Sequence, residues 1–329
     1  MLFDLFKETI FAKKSSELEI KYNALKELQT LYPNNEELKQ EFFVVKKGLD
    51  GEKEIEYQLE KSNLGIIVLH DINIEYENLK AQIDYIIITK AYTYFVECKN
   101  LIGNILINDK GEFIREYTFN NKKIKKGLYS PLRQVEAQRD VYKKIWNTSL
   151  SKNKIINNVK RFIAENKFEY YRRVLVVACN RETVINTKYA PKDIKNKVIK
   201  ADGLIRYLQN DLEKSDKTLW SSKKEMMETA NWFMKLNVEN NVDYIEYYKN
   251  KFNLKDNNVN REELKEELIK FRKSRSQEMK VPAYYVFTNE ELEKIIEELP
   301  KHTDDLKEIL SSIKIKTHGQ LIIEIINKQ

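Results

Sequence analysis

Three side chains in this sequence have the types and spacing to do chemistry together. Asp84 lies inside the apolar run Gln82-Ile83-Asp84-Tyr85-Ile86-Ile87-Ile88, and Glu97 and Lys99 flank Cys98 in Phe95-Val96-Glu97-Cys98-Lys99-Asn100. An acid among apolar neighbours is costly unless it is paired or binds a cation. Glu97 and Lys99 are two apart, so on a strand they share a face while the Cys98 side chain points the other way, into the core. A hairpin from Ile83 to Lys99 sets Asp84 on the strand beside them, and the three can converge on one ion. Phosphodiester hydrolysis uses such a set. Carboxylates hold a hard divalent metal, the metal polarises phosphate and water, and a cation offsets the charge that develops on the phosphate. A buried ion pair at a strand end, Asp84–Lys99 or Glu97–Lys99, is the competing reading, and spacing alone does not separate the two.

The elements that must position these groups follow from periodicity. Residues 1 to about 45 read as helical, through Leu18, Leu25 and Leu28, interrupted at Pro33. Gly48-Leu49-Asp50-Gly51 reads as a turn, and Glu52 to Leu64 as an amphipathic helix. Apolar strands are expected at 65–69, 83–89 and 94–97, then at 103–107 and 113–119. Pro131 suits the first turn of a long helix reaching about Trp146. A buried strand follows at 174–178, a further one near 198–199, and a helix near 202–212. This order predicts an α/β or α+β domain from about 46 to 212, after an N-terminal helical segment, 1–45. Residues 213–258 read as a helical connector whose Trp220, Trp232 and Phe233 must pack against something. From 259 to 329 short helices are punctuated by Pro282, Pro300 and Gly319: Arg261 to Arg275, Asn289 to Leu299 with Thr288 as N-cap, Thr303 to Leu310, and a last one after His318-Gly319. These form a small all-helical domain.

Composition narrows the class. The 329 residues are 42% hydrophobic and 33% charged, which suits a soluble globular chain of about two domains. Apolar runs such as Ile66 to Leu69 are far shorter than a membrane span needs, and the early Asp4 leaves no secretory leader to expect. Cys98 and Cys179 form neither a zinc spacing nor a disulfide framework, which points to a reducing cytoplasm. The three histidines stand in no metal or triad spacing. The net charge of +7 is modest. It is concentrated, however: residues 120–173 hold fifteen Lys or Arg against four Asp or Glu. Such an excess beside the acid–lysine cluster suits a phosphate backbone, with Lys122, Lys123, Lys125, Lys126, Arg133 and Arg139 as candidate contacts. A solvated helix face is the plainer reading. Tyr129, Tyr170 and Tyr171 could stack on unpaired bases or pack in the core.

The ordered set Gly51-Glu52, Gln82-Ile83-Asp84, Glu97-Cys98-Lys99-Asn100 with Gly103, and Pro131 with Gln134 resembles the nuclease-related domain (NERD), a branch of the PD-(D/E)XK nuclease superfamily. The resemblance is close over about 44–145 and reaches more weakly to 212. It implies a restriction-endonuclease-like core, a mixed sheet flanked by helices. It further implies that Asp84 and Glu97 hold Mg²⁺ (or Mn²⁺), with the Cys98 backbone carbonyl beside them and Glu52 completing the metal shell. Lys99 matches the lysine that positions water and the scissile phosphate, and Gln134 a polar helix residue facing the site. Ile83 stands where the superfamily has proline. The tail resembles the HRDC domain of RecQ-type helicases and RNase D over about 260–327, through Val281-Pro282-Ala283-Tyr284-Tyr285-Val286-Phe287-Thr288 and the elements around it. That implies an auxiliary nucleic-acid-binding or protein-binding module, here with thirteen basic and fourteen acidic residues over 261–329. The expected function is a metal-dependent nuclease acting on DNA rather than RNA, in repair, recombination or defence. The alternative is a non-catalytic nucleic-acid-binding adaptor.

Overall fold

The protein is described from a computed structural model covering residues 6–152, 166–254 and 261–327. Lys154, Lys160 and Arg161 of the basic stretch, and the extreme ends of the two terminal segments, lie outside the described residues. The chain divides into two compact units, Met1–Phe252 and Asn253–Gln329.

In the first unit a six-stranded mixed sheet has the order β1-β2-β3-β4-β8-β10, built from Thr9–Lys13, Ile66–Tyr76, Leu79–Ile88, Thr93–Lys99, Arg172–Ala178 and Val198–Lys200. β2, β3 and β4 run antiparallel in sequence, and β4, β8 and β10 run parallel. The parallel β4–β8 pair needs a long crossover. That crossover carries a second sheet of order β7-β6-β5-β9 (Lys122–Leu128, Phe113–Phe119, Asn104–Ile107, Ile185–Asn186) and helix α3, Pro131–Lys152. Two apolar layers sandwich the main sheet. On one side α3 and a later helix, α5 (Lys223–Leu236), bury Val135, Tyr142, Met226, Ala230 and Phe233 against Ile86, Phe95 and Val176. On the other, α2 (Glu36–Glu60) and α4 (Leu204–Glu213) bury Ile55, Leu59, Leu204 and Leu208 against Val68, Tyr85, Tyr94 and Val177. The aromatics of 213–258 thus do pack: Phe233 enters the core and Trp232 lies against it. The mixed α/β class expected from the sequence is the one observed.

Three secondary-structure expectations change in this unit. The N-terminal segment is not all helix: β1 precedes α1 (Glu17–Leu31), because Thr9-Ile10-Phe11 finds the backbone of Ile66–Val68 in parallel register. The pairing partner is more than fifty residues away, so no local period announces it. Gly48 to Gly51 make no turn, since α2 runs unbroken through them. The two glycines, three apart, lie where the helix is approached closely. A Cβ on Gly51 would sit 2.7 Å from Asn100 Cβ, and one on Gly48 3.0 Å from Leu18 Cδ1. The lysine run Lys122–Lys126 is a strand, not a helix face. Antiparallel pairing to β6 sets its register, and lysine composition hides it.

After α6 (Tyr244–Lys251), the last helix of the first unit, the second unit is helical: α7 (Arg261–Met279), α8 (Asn289–Glu298) and α9 (Gln320–Ile326) gather Leu264, Leu268, Phe287, Ile295 and Ile322 into one core. Thr288 caps α8 in a reciprocal box with Glu291. The helix expected over Thr303–Leu310 is only a 3-10 turn, Asp305–Glu308. Asp305 Oδ2 there accepts from the amides of Lys301 and His302, so the chain folds around the carboxylate rather than into a helix. His318 and Gly319 precede α9 as expected, and they close a wide helical turn, Ile315–Gly319, that runs straight into it.

Candidate metal-dependent nuclease site

The site forms where β3 parts from β4. Their pairing ends at Tyr85↔Val96, whereas β4 continues beside β8 as far as Lys99↔Ala178. Leu69 and Ile72 enter the same core although three apart, as do Ile83 and Ile86. Both strands therefore break their two-residue alternation, at Asp71, which has a left-handed backbone (φ 55°), and at Asp84. The break turns the Asp84 carboxylate along the sheet. Its Oδ2 accepts from the Cys98 amide at 2.7 Å, in place of a ladder carbonyl.

Glu97 is 1% exposed, and both its oxygens are engaged. Oε1 accepts from Lys99 Nζ at 2.5 Å and Oε2 from Gln138 Nε2 at 3.1 Å. Lys99 Nζ also donates to Gln134 Oε1 at 3.2 Å. Gln134 and Gln138 are four apart on α3 and so share the face that covers β4. Burial, and then the neighbouring Glu97 charge, push the Asp84 pKa well above the usual carboxylate range, with Glu52 adding to the rise. The Cys98 amide and Lys99 act in the opposite sense.

Glu52 reaches this region from α2 but is held elsewhere. Its Oε2 lies 2.9 Å from His70 Nε2, and its carbonyl accepts from the Tyr85 hydroxyl at 2.8 Å. His70 stacks on Tyr85, ring centroids 4.2 Å apart, and its Nδ1 lies 3.0 Å from the Lys14 carbonyl. Neither Glu52 Oε2 nor His70 Nε2, both buried, makes a well-angled hydrogen bond among the described residues. The Cys98 thiol points to the α2 side, 3.2 Å from the Cys179 sulfur, and both thiols are free.

The structure thus brings Asp84, Glu97, Lys99 and Gln134 together and sets Glu52 within electrostatic reach of Asp84. Gln138 and His70 escaped sequence reasoning. Gln138 was findable at helical spacing from Gln134, whereas His70 depended on the register of β2. Among the described residues no three His, Cys, Asp or Glu side chains are gathered closely enough to hold a metal. The donor chemistry nevertheless fits a hard cation: a buried carboxylate oxygen of Glu52 lacks a good donor, and desolvation followed by the neighbouring carboxylates raises the Asp84 pKa, a cost that a bound cation would relieve. The Lys99 ammonium occupies Glu97 Oε1, on a long unbranched side chain.

Of the candidate nucleic-acid contacts, Lys122, Lys123, Lys125 and Lys126 are exposed along β7, and Arg133 is exposed on α3. Arg139 is not part of that surface. It is 7% exposed, its NH1 reaching the Arg172 carbonyl at 3.4 Å and its NH2 lying 3.5 Å from Glu169. Among the described residues no helix is long and apolar enough to cross a membrane.

Residues 47–178 match the family model described as the nuclease-related domain, NERD, and residues 261–326 match that of the HRDC domain. No curated protein and no solved structure matches the chain. The matched segments coincide with the elements just described: the first begins on α2 ahead of Glu52 and ends with β8, and the second spans the helical core of the second unit. The chain therefore joins a nuclease-related domain to an HRDC domain, a type associated with nucleic-acid binding.

Proposed function

We propose that this protein is a divalent-metal-dependent nuclease that hydrolyses phosphodiester bonds of DNA, in the cytoplasm, serving repair, recombination or defence against foreign DNA. In this reading Asp84, Glu97 and the Cys98 carbonyl hold Mg²⁺ (or Mn²⁺), and Glu52 completes the shell. When bound, such an ion supplies Lewis acidity to the phosphate and to water. Lys99 positions the scissile phosphate and offsets its growing negative charge, and Gln134 keeps the Lys99 ammonium oriented. Lys122, Lys123, Lys125, Lys126 and Arg133 bind the backbone, and the HRDC domain adds affinity for nucleic acid or for a protein partner. The observation that carries this reading is the Asp84 carboxylate: half-buried, bonded to a backbone amide, and set beside the acids Glu97 and Glu52 with one lysine in compensation. A purely structural ion pair would need one acid, not three.

The test is strand nicking and end release on single-stranded and duplex DNA and RNA, with Mg²⁺ or Mn²⁺. Cutting that disappears in Asp84→Ala and Lys99→Ala supports the proposal. Cutting that survives both puts the site elsewhere. A protein that binds nucleic acid but cuts none of these substrates is the adaptor. The closed Lys99–Glu97 pair is the feature that favours that second reading.

A further inference from the structure

The β6–β7 hairpin carries two unlike faces. Asn120 and Asn121 join the strands with left-handed backbones (φ 47° and 60°), the two-residue turn that fits strand twist. The register then pairs Arg115 with Lys126, Tyr117 with Ile124, and Phe119 with Lys122, so these six share one face. At the root of the same face Phe113 is buried in the core and Leu128 packs against it. Farther out the face is uncovered: Phe119 is 61% exposed, and the Arg115 guanidinium lies over the Tyr117 ring, 4.5 Å from its centroid. The face has three cations and no acid. The opposite face carries Glu116, which pairs with Lys125 at 2.6 Å.

The root of the hairpin is tied to the segment that leaves the candidate site. Arg115 Nε donates to the Ile102 carbonyl at 2.6 Å, three residues beyond Lys99. Gly103 (φ 99°) passes so close that a Cβ there would lie 2.4 Å from the Glu116 carbonyl oxygen and 2.7 Å from Tyr117 Cβ. A ligand on this face therefore lies against the chain that runs directly from Lys99.

From this geometry we infer that the Tyr117–Phe119 face of the hairpin binds single-stranded nucleic acid, stacking unpaired bases on its two rings and holding phosphates with Arg115, Lys122 and Lys126. Same-face residues along a strand are about 6.8 Å apart, so the rings act as separate platforms for bases that have parted from one another. A duplex keeps its bases stacked internally and could use only the cations. Every base has a π face, so recognition by stacking is indifferent to sequence. Charge complementarity supplies the rest, because the ring-bearing face sets three cations beside the rings with no acid among them, whereas on the opposite face Glu116 takes up Lys125. The inference rests on the nuclease reading only for its purpose, which is to feed a single-stranded segment or flap to the Asp84–Glu97–Lys99 site. Binding itself can be measured without cutting.

The experiment uses the full chain without divalent ion, titrated into a fluorescent mixed-sequence single strand and into the matching duplex. Tyr117→Ala/Phe119→Ala is expected to weaken single-strand binding roughly tenfold or more and to leave duplex binding within about twofold. Phe119→Trp, which keeps a ring, retains wild-type affinity. Lys122→Ala/Lys126→Ala weakens both and lowers the slope of log affinity against log salt by about 1.4 for the single strand. All replaced side chains but Tyr117 are largely exposed, and an unchanged urea midpoint verifies the fold. Equal loss on both substrates, or no loss on the single strand, overturns the inference. If the ring variant loses single strands while the wild-type protein cuts nothing, the nuclease reading falls and this one stands. If the wild-type protein cuts single strands and the ring variant binds and cuts them as well, the reverse holds.

Discussion

Replacing Gly51 by alanine puts a methyl group where α2 crosses the end of β4. In an exposed helix this change stabilises by about 1 kcal/mol, since glycine carries excess backbone entropy. Here the new Cβ would stand 2.7 Å from Asn100 Cβ and 3.1 Å from the Cys98 sulfur. Carbon atoms rest at about 3.5–4.0 Å, so α2 must withdraw by roughly 1 Å. Asn100 resists, because its Nδ2 donates to the Lys47 carbonyl at 2.7 Å and ties β4 to that helix. Overpacking of this kind costs about 1–3 kcal/mol, which after the propensity gain leaves a net loss of up to about 2 kcal/mol. The same substitution one turn earlier serves as the control. A Cβ on Gly48 meets only the Leu18 methyls, at 3.0 and 3.8 Å, the end of a side chain that can rotate away. Gly48→Ala is expected to be neutral or stabilising by up to about 1 kcal/mol. Urea unfolding of the two variants beside the wild type measures the contrast. Equal midpoints for Gly51→Ala and Gly48→Ala, or a more stable Gly51→Ala, would refute the reasoning. Because Glu52 rides on the same turn, Gly51→Ala should also lower any nicking rate more than its stability loss explains.

Other perturbations probe separate links. Gln138→Leu strips Glu97 Oε2 of its buried donor. A loss of about 1–3 kcal/mol in chemical unfolding is expected, and an unchanged midpoint would mean that water replaces the amide. Asp84→Asn keeps the shape of the side chain and removes a carboxyl whose charged form desolvation and Glu97 disfavour; fold stability should be unchanged or higher while metal-dependent cutting is lost, so a destabilised fold with normal cutting would assign Asp84 a structural role only. Thr288→Ala breaks the reciprocal cap of α8 and should cost the HRDC unit about 1 kcal/mol, read as a lower melting temperature. His318 has its pKa lowered by burial, with the charges of Arg275 and Lys314 adding to the effect. The unfolded imidazole thus takes a proton first: the unit is fully stable above about pH 6.5 and loses stability as pH falls through that value. Calorimetry between about pH 7.5 and 5.5 should show that loss in the wild type and a flatter profile in His318→Gln.

Much of the protein was legible from local pattern. Buried strands such as Ile86-Ile87-Ile88 and Val174 to Val177 announce themselves by composition, and Pro131 marks its helix because proline suits a first turn. The pairing of Glu97 with Lys99 followed from a period of two, and the second unit's capped helix from Thr288. What the sequence could not express was contact at a distance. Whether Thr9 to Lys13 is strand or helix depends on an edge of β2 being free, and whether Gly48 and Gly51 turn the chain or let it be approached depends on what lies across them. Lys122 to Lys126 became a strand through register with β6, although its composition suggests a solvated face. Arg139 looked like one more phosphate contact until α3 turned it under Arg172 and Glu169. The site divides in the same way. Residue types and spacing selected Asp84, Glu97 and Lys99, because alternation on a strand is a local property. Only the tertiary fold broke that alternation at Asp84, aimed its carboxylate at the Cys98 amide, added Gln138 from α3, and turned Glu52 toward His70. Those are decisions of register and packing between distant segments.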